Sequence, residues 1–366
     1  MKFSILKQDL LPYLTSASRS VGIRSTLPVL DNILISAKEN SLKISATNLE
    51  IGVIKNVSAQ VLEEGALTVP AKTLLEIVSA LDPGSVNFES QGDNLTIFSE
   101  HFKGSINGIS SSEFPAIPLS DDKGISFPKS TIQMCSQILF AAAIDEGRPV
   151  LTGILTNISG GKIDFVATDG FRLAHRKVSL DDTTVEFKTL IPKKTFEEII
   201  KIILEEDVDS VNISTSSDQN QAVFSLGSTI LSSRLIEGIF PSWEKIIPTQ
   251  IVSKATLDKD VLIKAVKLAA VFSKSEANIV VLDIKKSGLS LSSSAKELGS
   301  QENQIEAEVE GEELKIAFNT RFLLDAVSNI PSSRVAIEFS GALSAALVKG
   351  VGEDGLEFII MPVRLS

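Results

Sequence analysis

The stretch Ala167-Thr168-Asp169-Gly170-Phe171-Arg172-Leu173 decides how the rest of the chain is read. It follows the alternating run Lys162-Ile163-Asp164-Phe165-Val166, whose period of two reads as a strand. Its Asp-Gly pair predicts a tight reversal, because glycine accepts the positive φ that such a turn needs. Beyond the turn an Arg and a Leu stand side by side. The first half returns upstream as Ala46-Thr47-Asn48, and the closing run Ile359-Ile360-Met361-Pro362-Val363-Arg364-Leu365 is its expected companion.

The echo belongs to a repeat. Leu27-Pro28-Val29-Leu30 returns as Arg148-Pro149-Val150-Leu151, and Ala46-Thr47-Asn48 as Ala167-Thr168-Asp169, both at an offset of 121. Val69-Pro70-Ala71-Lys72-Thr73-Leu74-Leu75 returns as Ile191-Pro192-Lys193-Lys194-Thr195-Phe196-Glu197 at 122, and Glu113-Phe114-Pro115 returns near Gly238-Ile239-Phe240-Pro241 at 126. Compositional bias would not keep order and spacing together, so a unit of roughly 120 residues is duplicated. A fainter third copy, Phe318-Asn319-Thr320-Arg321-Phe322-Leu323-Leu324, stands 127 residues beyond the second. The chain is read as three domains, 1-120, 128-248 and 251-366, with linkers over 117–126 and 248–254.

Each domain is expected to open with an amphipathic helix. In the first, Leu10, Leu14, Ala17 and Val21 share a face, which puts Pro12 in the first turn. The second is expected over 129–143. The third is expected over 258–273, with Val261, Leu262, Ala265, Leu268, Ala269 and Phe272 apolar. Alternating strands follow, 33–36 with 42–46 and 153–157 with 162–167. A second helix is expected over 71–81, 194–206 and 320–329, the middle one burying Phe196, Ile199, Ile200 and Ile203. More strands follow, such as 211–215, 222–225 and 229–235. Strand-rich units with two helices each make an α+β pattern.

Composition narrows the function. With 35 basic and 46 acidic residues the net charge is −11, which on average opposes a nucleic-acid partner and leaves the distribution of charge to decide. One cysteine, Cys135, and two histidines supply neither a disulfide nor a zinc site, and a reducing compartment fits. Lys7 and Asp9 interrupt any apolar leader, and no run approaches the ~20 apolar residues of a membrane span. A cytoplasmic protein without cofactor or metal is expected. His175 near Asp169 can be read as an acid/base pair, but a nucleophile, a metal set and a glycine-rich phosphate loop are missing, so a surface pair is the ordinary reading.

Within three such units, the stretches Thr26-Leu27-Pro28-Val29-Leu30, Arg148-Pro149-Val150-Leu151-Thr152-Gly153, Ala167 to Leu173, Glu237-Gly238-Ile239-Phe240-Pro241 and Met361-Pro362-Val363-Arg364-Leu365 resemble the bacterial sliding clamps, the β subunits of the replicative DNA polymerase. The resemblance covers the whole chain. It implies three DNA-clamp domains with sheets outside and two helices each inside. It also implies a non-catalytic head-to-tail homodimer, a ring of six units around duplex DNA held without regard to sequence. Implied partners are the catalytic subunit of DNA polymerase III, the clamp loader and other proteins with a clamp-binding motif. A three-unit scaffold that binds peptides without DNA is the alternative.

The resemblance also assigns residues. A pocket for a short, apolar-tipped peptide would be lined by Leu151, Thr168, Gly170, Arg172, Leu173, Pro241, Ile246, Ile359, Ile360, Met361, Pro362, Val363 and Arg364, with Leu365 also matching. Apolar walls with a few polar guides suit such a site, and Met suits several partners. The ordinary alternative is a terminal strand over a core leucine. Arg24, Lys72, Arg148, Lys193, Lys194, Lys201, Lys264 and Lys267 would face DNA, with Lys7, Arg19 and Lys274 as further basic residues. An acidic exterior around this mildly basic bore would reconcile the net charge with a DNA partner. Ile106, Leu268, Val271 and Phe272 would join one copy to the next. Phe171, Lys245 and the extra Ser366 depart from the family pattern.

Overall fold

Both copies of the Ala-Thr-Asx motif close a strand-to-strand turn with the same hydrogen bonds. In the first, the Thr47 hydroxyl donates to the Ile51 carbonyl at 3.0 Å and accepts the Leu49 N–H at 3.0 Å. Asn48 Oδ1 accepts the N–H groups of Glu50 and Ile51, at 3.0 and 2.8 Å. In the second, Thr168 donates to the Arg172 carbonyl at 2.6 Å and accepts the Gly170 N–H at 3.0 Å. Asp169 Oδ1 accepts the N–H groups of Phe171 and Arg172, at 2.9 and 3.0 Å. The residue after the Asx has positive φ in both, 72° at Leu49 and 91° at Gly170. The motif recurs because its short polar side chains satisfy the turn's backbone locally.

The computed structural model describes all residues except 23–26, 121–123, 146, 181–185, 217–219, 274–277, 297 and 365–366. The expectations for Arg24, Lys274, Leu365 and Ser366, and for Thr26 of the Leu-Pro motif, lie outside the described residues. The chain divides into two units, Met1–Ile132 with Lys194–Leu235, and Gln133–Lys193 with Ile236–Ser366.

The first unit holds two sheets. One has five strands in the order Gln60–Glu63, Lys2–Leu6, Ser85–Gln91, Asn94–Phe98, Lys103–Asn107. The other has nine, in which the first-repeat strand Ile51–Ser58 pairs antiparallel with the second-repeat strand Thr229–Arg234. Helices α1 (Lys7–Ser18) and α2 (Ala71–Ala80) bury Leu10, Leu14, Leu74 and Val78 in one core with Phe3, Ile33, Leu42 and Phe88. Lys55, 1% exposed, pins the junction of the two repeats. Its ammonium donates to Glu206 near the end of α4 (Lys193–Glu206) and to Thr229. A lysine this deeply buried is stable only when paired and hydrogen-bonded.

The second unit repeats the plan. Its nine-stranded sheet runs Phe187–Pro192, Gly153–Ser159, Lys162–Thr168, Arg172–Ser179, Leu356–Ile360, Ala346–Gly350, Arg334–Phe339, Ser253–Asp258, Glu308–Gly311. Again the strand after the Ala-Thr-Asx turn pairs with the last strand of the following repeat, with Arg172 opposite Ile360 and Leu173 opposite Ile359. A four-stranded sheet, Gly299–Ile305, Gly288–Ala295, Ile279–Lys285, Leu314–Asn319, carries α5 (Lys259–Ser273), which in turn packs on α6 (Thr320–Ser328). No described helix is long and apolar enough to cross a membrane.

Four expectations need correction. Helix α1 begins at Lys7, so Pro12 lies in its second turn, on the exposed side where water can take the carbonyl the proline leaves unpaired. The helix expected over 129–143 stops early, as α3 (Lys129–Cys135). Residues 136–138 donate to carbonyls three residues back, and the next stretch, with Ile138, Leu139, Ala141 and Ala142 all buried, has no polar face for a surface helix. In α4 the buried stripe is Phe196, Ile199, Ile202 and Ile203, with Ile200 only half-buried. The Ile106 side chain, expected at an interface, is 6% exposed and packs in the core of the first unit, so at this position its edge strand has only backbone to offer another copy.

Candidate functional site

Side chains alternate across a strand, so the neighbours Arg172 and Leu173 lie on opposite faces of the nine-stranded sheet. Leu173 shares its face with Ile359 and Leu347 through cross-strand pairs, and these three pack with Leu155 and Val166 into a small buried cluster. Phe240, Trp243, Ile247 and Ala345 lie half-buried against it. The segment supplying that wall includes the short helical turn Trp243–Ile246, and leaves Pro241 and Ile246 exposed. Met361, 43% exposed, leaves the sheet beyond Ile360, with its N–H donating to the Phe171 carbonyl at 3.0 Å. Val363 N–H donates to the Ala317 carbonyl at 2.8 Å, and Pro362 is half-buried. The result is an apolar floor with an exposed apolar rim.

The expected lining therefore divides. Thr168, Leu173 and Ile359 belong to this face, and Pro241, Ile246, Met361, Pro362 and Val363 belong to the segments at its border. Gly170 is exposed in the turn, and Leu151 is buried at the end of the turn Pro149–Leu151. Arg364 lines a separate groove of about 820 Å³ over the four-stranded sheet, beside Ile279, Val281 and Ser292. Leu155 and Val166 were missed although strand alternation points to them. Leu347, Phe240, Trp243 and Ile247 reach the face through packing that no local pattern records.

Arg172 and Ile360 are on the other face, a correction to the expected lining. The Arg172 guanidinium is 8% exposed. Its Nε donates to Asp169 at 3.0 Å, Nη1 to Asp325 of α6 at 2.6 Å and Nη2 to the Phe140 carbonyl at 2.9 Å. It stacks between the rings of Phe140 and Phe322, 5.0 and 4.5 Å from their centroids. Such planar, forked pairing is what arginine provides and lysine does not. Arg172 ties the turn to α6 and so holds the turn that carries Leu173. Phe171, 65% exposed, stacks on Phe322 at 6.4 Å.

His175 does not meet Asp169; its ring contacts Asp164 and Glu357 instead, which removes the acid/base pair considered from sequence.

The basic residues sort by use. Lys7 donates to the Ser79 and Leu81 carbonyls and so caps the end of α2. Arg19 is spent on Glu198 and Glu205 of α4. Lys72, Lys194, Lys201, Lys264 and Lys267 are exposed on α2, α4 and α5, and Arg148 is exposed near the turn at Gly170. Lys193, at the start of α4, is half-buried. One cation was missed. Arg321, the second residue of α6, aligns with Lys72 and Lys194 at the second positions of the fragments Ala71-Lys72 and Lys193-Lys194, and its side chain is 70% exposed. The third copy of the repeat already carried that signal.

Three family models of the DNA polymerase III beta subunit match in succession: the N-terminal domain over residues 1–118, the central domain over 128–242 and the C-terminal domain over 244–364. The Beta sliding clamp of Synechocystis sp. is 30% identical over 390 residues, covering 100% of both chains. That of Staphylococcus aureus is 29% identical, covering 100% of this chain and 99% of its own. Among solved structures, the DNA polymerase sliding clamp from Bacillus subtilis superposes with a TM-score of 0.95 and the DNA polymerase III subunit beta from Pseudomonas aeruginosa with 0.94, each 26% identical and covering 100% of both chains. With three repeats, the shared turn chemistry and these full-length matches in agreement, the chain belongs to the family of the bacterial DNA polymerase III beta subunit, the sliding clamp.

Proposed function

We propose that two copies of this chain close head to tail into a ring that encircles duplex DNA as a non-catalytic processivity factor, with repeats 1–120, 128–248 and 251–366 as its modules. A regularity of the strands carries the proposal. The strand after the Ala-Thr-Asx turn of the first repeat pairs with the last strand of the second repeat, and the corresponding strand of the second repeat pairs with the last strand of the third. The third-repeat counterpart, Gly299–Ile305, is a sheet edge, and so is the first-repeat strand Lys103–Asn107. Joining these edges between two copies would merge a four-stranded and a five-stranded sheet into nine strands, matching the two nine-stranded sheets within the chain. A heterologous contact repeated by rotation closes a ring. Near the third-repeat edge, α5 leaves Leu268 and Val271 at 53% and 54% exposure and Phe272 half-buried, as an apolar interface needs. Sedimentation equilibrium should give twice 39.3 kDa at micromolar concentration; a monomer there would exclude the ring.

The exposed cations would supply weak phosphate contacts to DNA. Lys72, Lys194 and Arg321 recur at one position of the repeat, six per ring, with the exposed Lys201, Lys264, Lys267 and Arg148 and the half-buried Lys193 as further candidates. Replacing Lys72, Lys194 and Arg321 by Ala should lower the slope of log affinity against log salt by up to about 5 per ring. An unchanged slope would remove these residues from the DNA surface.

The apolar floor and rim would dock short apolar segments of the polymerase catalytic subunit, the clamp loader and other clamp-binding proteins in the cytoplasm. Burying one aliphatic side chain contributes about 1.5–3 kcal/mol. Ile246→Asp with Met361→Asp should therefore weaken a labelled hexapeptide ending in Leu-Phe by about 100-fold while the ring stays intact. Fluorescence anisotropy reads the affinity, and wild-type binding by the double variant would place docking elsewhere.

A further inference from the structure

On the face that carries Leu173, the next side chain along the same strand is His175, only 6% exposed. It stands opposite Val166 on one neighbouring strand and Glu357 on the other. Its Nε2 lies 2.8 Å from Asp164 Oδ1 and its Nδ1 3.4 Å from Glu357 Oε2. Ionised carboxylates only accept, so both contacts are hydrogen bonds when both ring nitrogens carry protons, as in the imidazolium. Lys349 lies 3.4 Å from Glu357 and 3.7 Å from Glu338, and Lys177 stands across from Asp164. Packed against the imidazole is the ring of Trp243, with centroids 4.5 Å apart. Trp243 opens the turn Trp243–Ile246, flanked by Phe240 and Ile247, which pack with it on the Leu173–Ile359 cluster. His175 is thus the polar end of the docking floor and the support of its wall.

We propose that His175, as its imidazolium, fixes Trp243 and with it the wall Pro241–Ile247, so that loss of the ring proton loosens the wall and weakens peptide docking. This rests on the docking proposal, and His175 acts through Trp243 as a positioning residue. A protonated ring against the indole gains cation–π attraction. A neutral ring keeps one N–H, so one of the two carboxylates must face a nitrogen lone pair, and the ring turns or the carboxylate withdraws. Burial alone would lower the pKa of His175, but its bonds to Asp164 and Glu357 outweigh that and raise it above 6.5. The bond to His175 in turn lowers the pKa of Glu357. Because the folded pKa is raised, the contribution is complete below pH 6.5 and is lost as pH rises through the raised value.

Trp243 is the one tryptophan of the chain, so its emission reports the contact without any peptide. Emission should change in one step whose midpoint lies above the ordinary histidine value. Affinity for a fluorescein-labelled hexapeptide ending in Leu-Phe should fall about tenfold over the same step. Both profiles should be flat in His175→Gln, and both midpoints should move down in Asp164→Asn, which keeps the imidazole and tests the coupling should the first variant fail to fold. A flat wild-type emission overturns the positioning role. Emission that titrates while peptide affinity stays constant overturns the coupling and leaves the docking face standing. A peptide that binds at no pH overturns the docking face and this proposal with it.

Discussion

A chain carrying Leu268→Asp and Val271→Asp is expected to be monomeric and unable to stay on DNA. Both residues lie on the outer face of α5, whose inward residues are Leu262, Ala265, Val266, Ala269 and Ser273. Surface changes of this kind usually alter monomer stability by about 0.5 kcal/mol or less, so the fold should persist. At the proposed contact the same changes remove two apolar side chains, each contributing about 1.5–3 kcal/mol when buried, and add charges with no partner. The dissociation constant should rise by at least about 100-fold. Sedimentation should then give 39.3 kDa with an unchanged far-ultraviolet dichroism spectrum. An intact dimer would move the interface away from α5.

Arg172→Ala should destabilise the second unit by about 3 kcal/mol, the low end for breaking a buried ion pair, because Asp325 keeps a side-chain exposure of 29%. The change takes the guanidinium from Asp169 Oδ2, leaves Asp325 only its 3.8 Å pairing with Arg321, frees the Phe140 carbonyl and leaves Phe140 and Phe322 without the cation between them. Arg172→Lys should recover only part of the loss, since an ammonium cannot pair both carboxylates and fill the stacked slot together. Urea unfolding followed through Trp243, which lies in the same unit, measures the difference. Peptide affinity should fall with it, because the turn that Arg172 holds also presents Leu173 and accepts the Met361 N–H. A variant as stable as the wild type would mean that the guanidinium is replaceable by water.

The elements legible in the sequence are those made by local chemistry. Ala-Thr-Asx could be read as a repeated turn because its own side chains close it, at Leu49 as at Gly170. The second helix was legible through its apolar stripe in the middle repeat, apart from Ile200, and through the repeated helix entry at Pro70, Pro192 and Asn319 in all three. The end of α3 was not, since an apolar run beyond Cys135 looks the same whether it coils or continues. In the candidate site, the period of two that marks a strand already separates Arg172 from Leu173, and the resemblance placed them together. His175 could not be assigned from sequence, because the partner that matters most after Asp164 is Glu357, 182 residues away. Ile106 illustrates the converse: an apolar residue on an edge strand faced its own core.

The decisive measurement is retention on a closed circular duplex after loading by the clamp loader, followed through gel filtration before and after the circle is cut once. Encirclement predicts that the dimer stays with the circle at a salt concentration that abolishes simple phosphate binding. It also predicts that the dimer runs off once an end exists. Equal retention on circular and cut DNA, or loss from both, would contradict it.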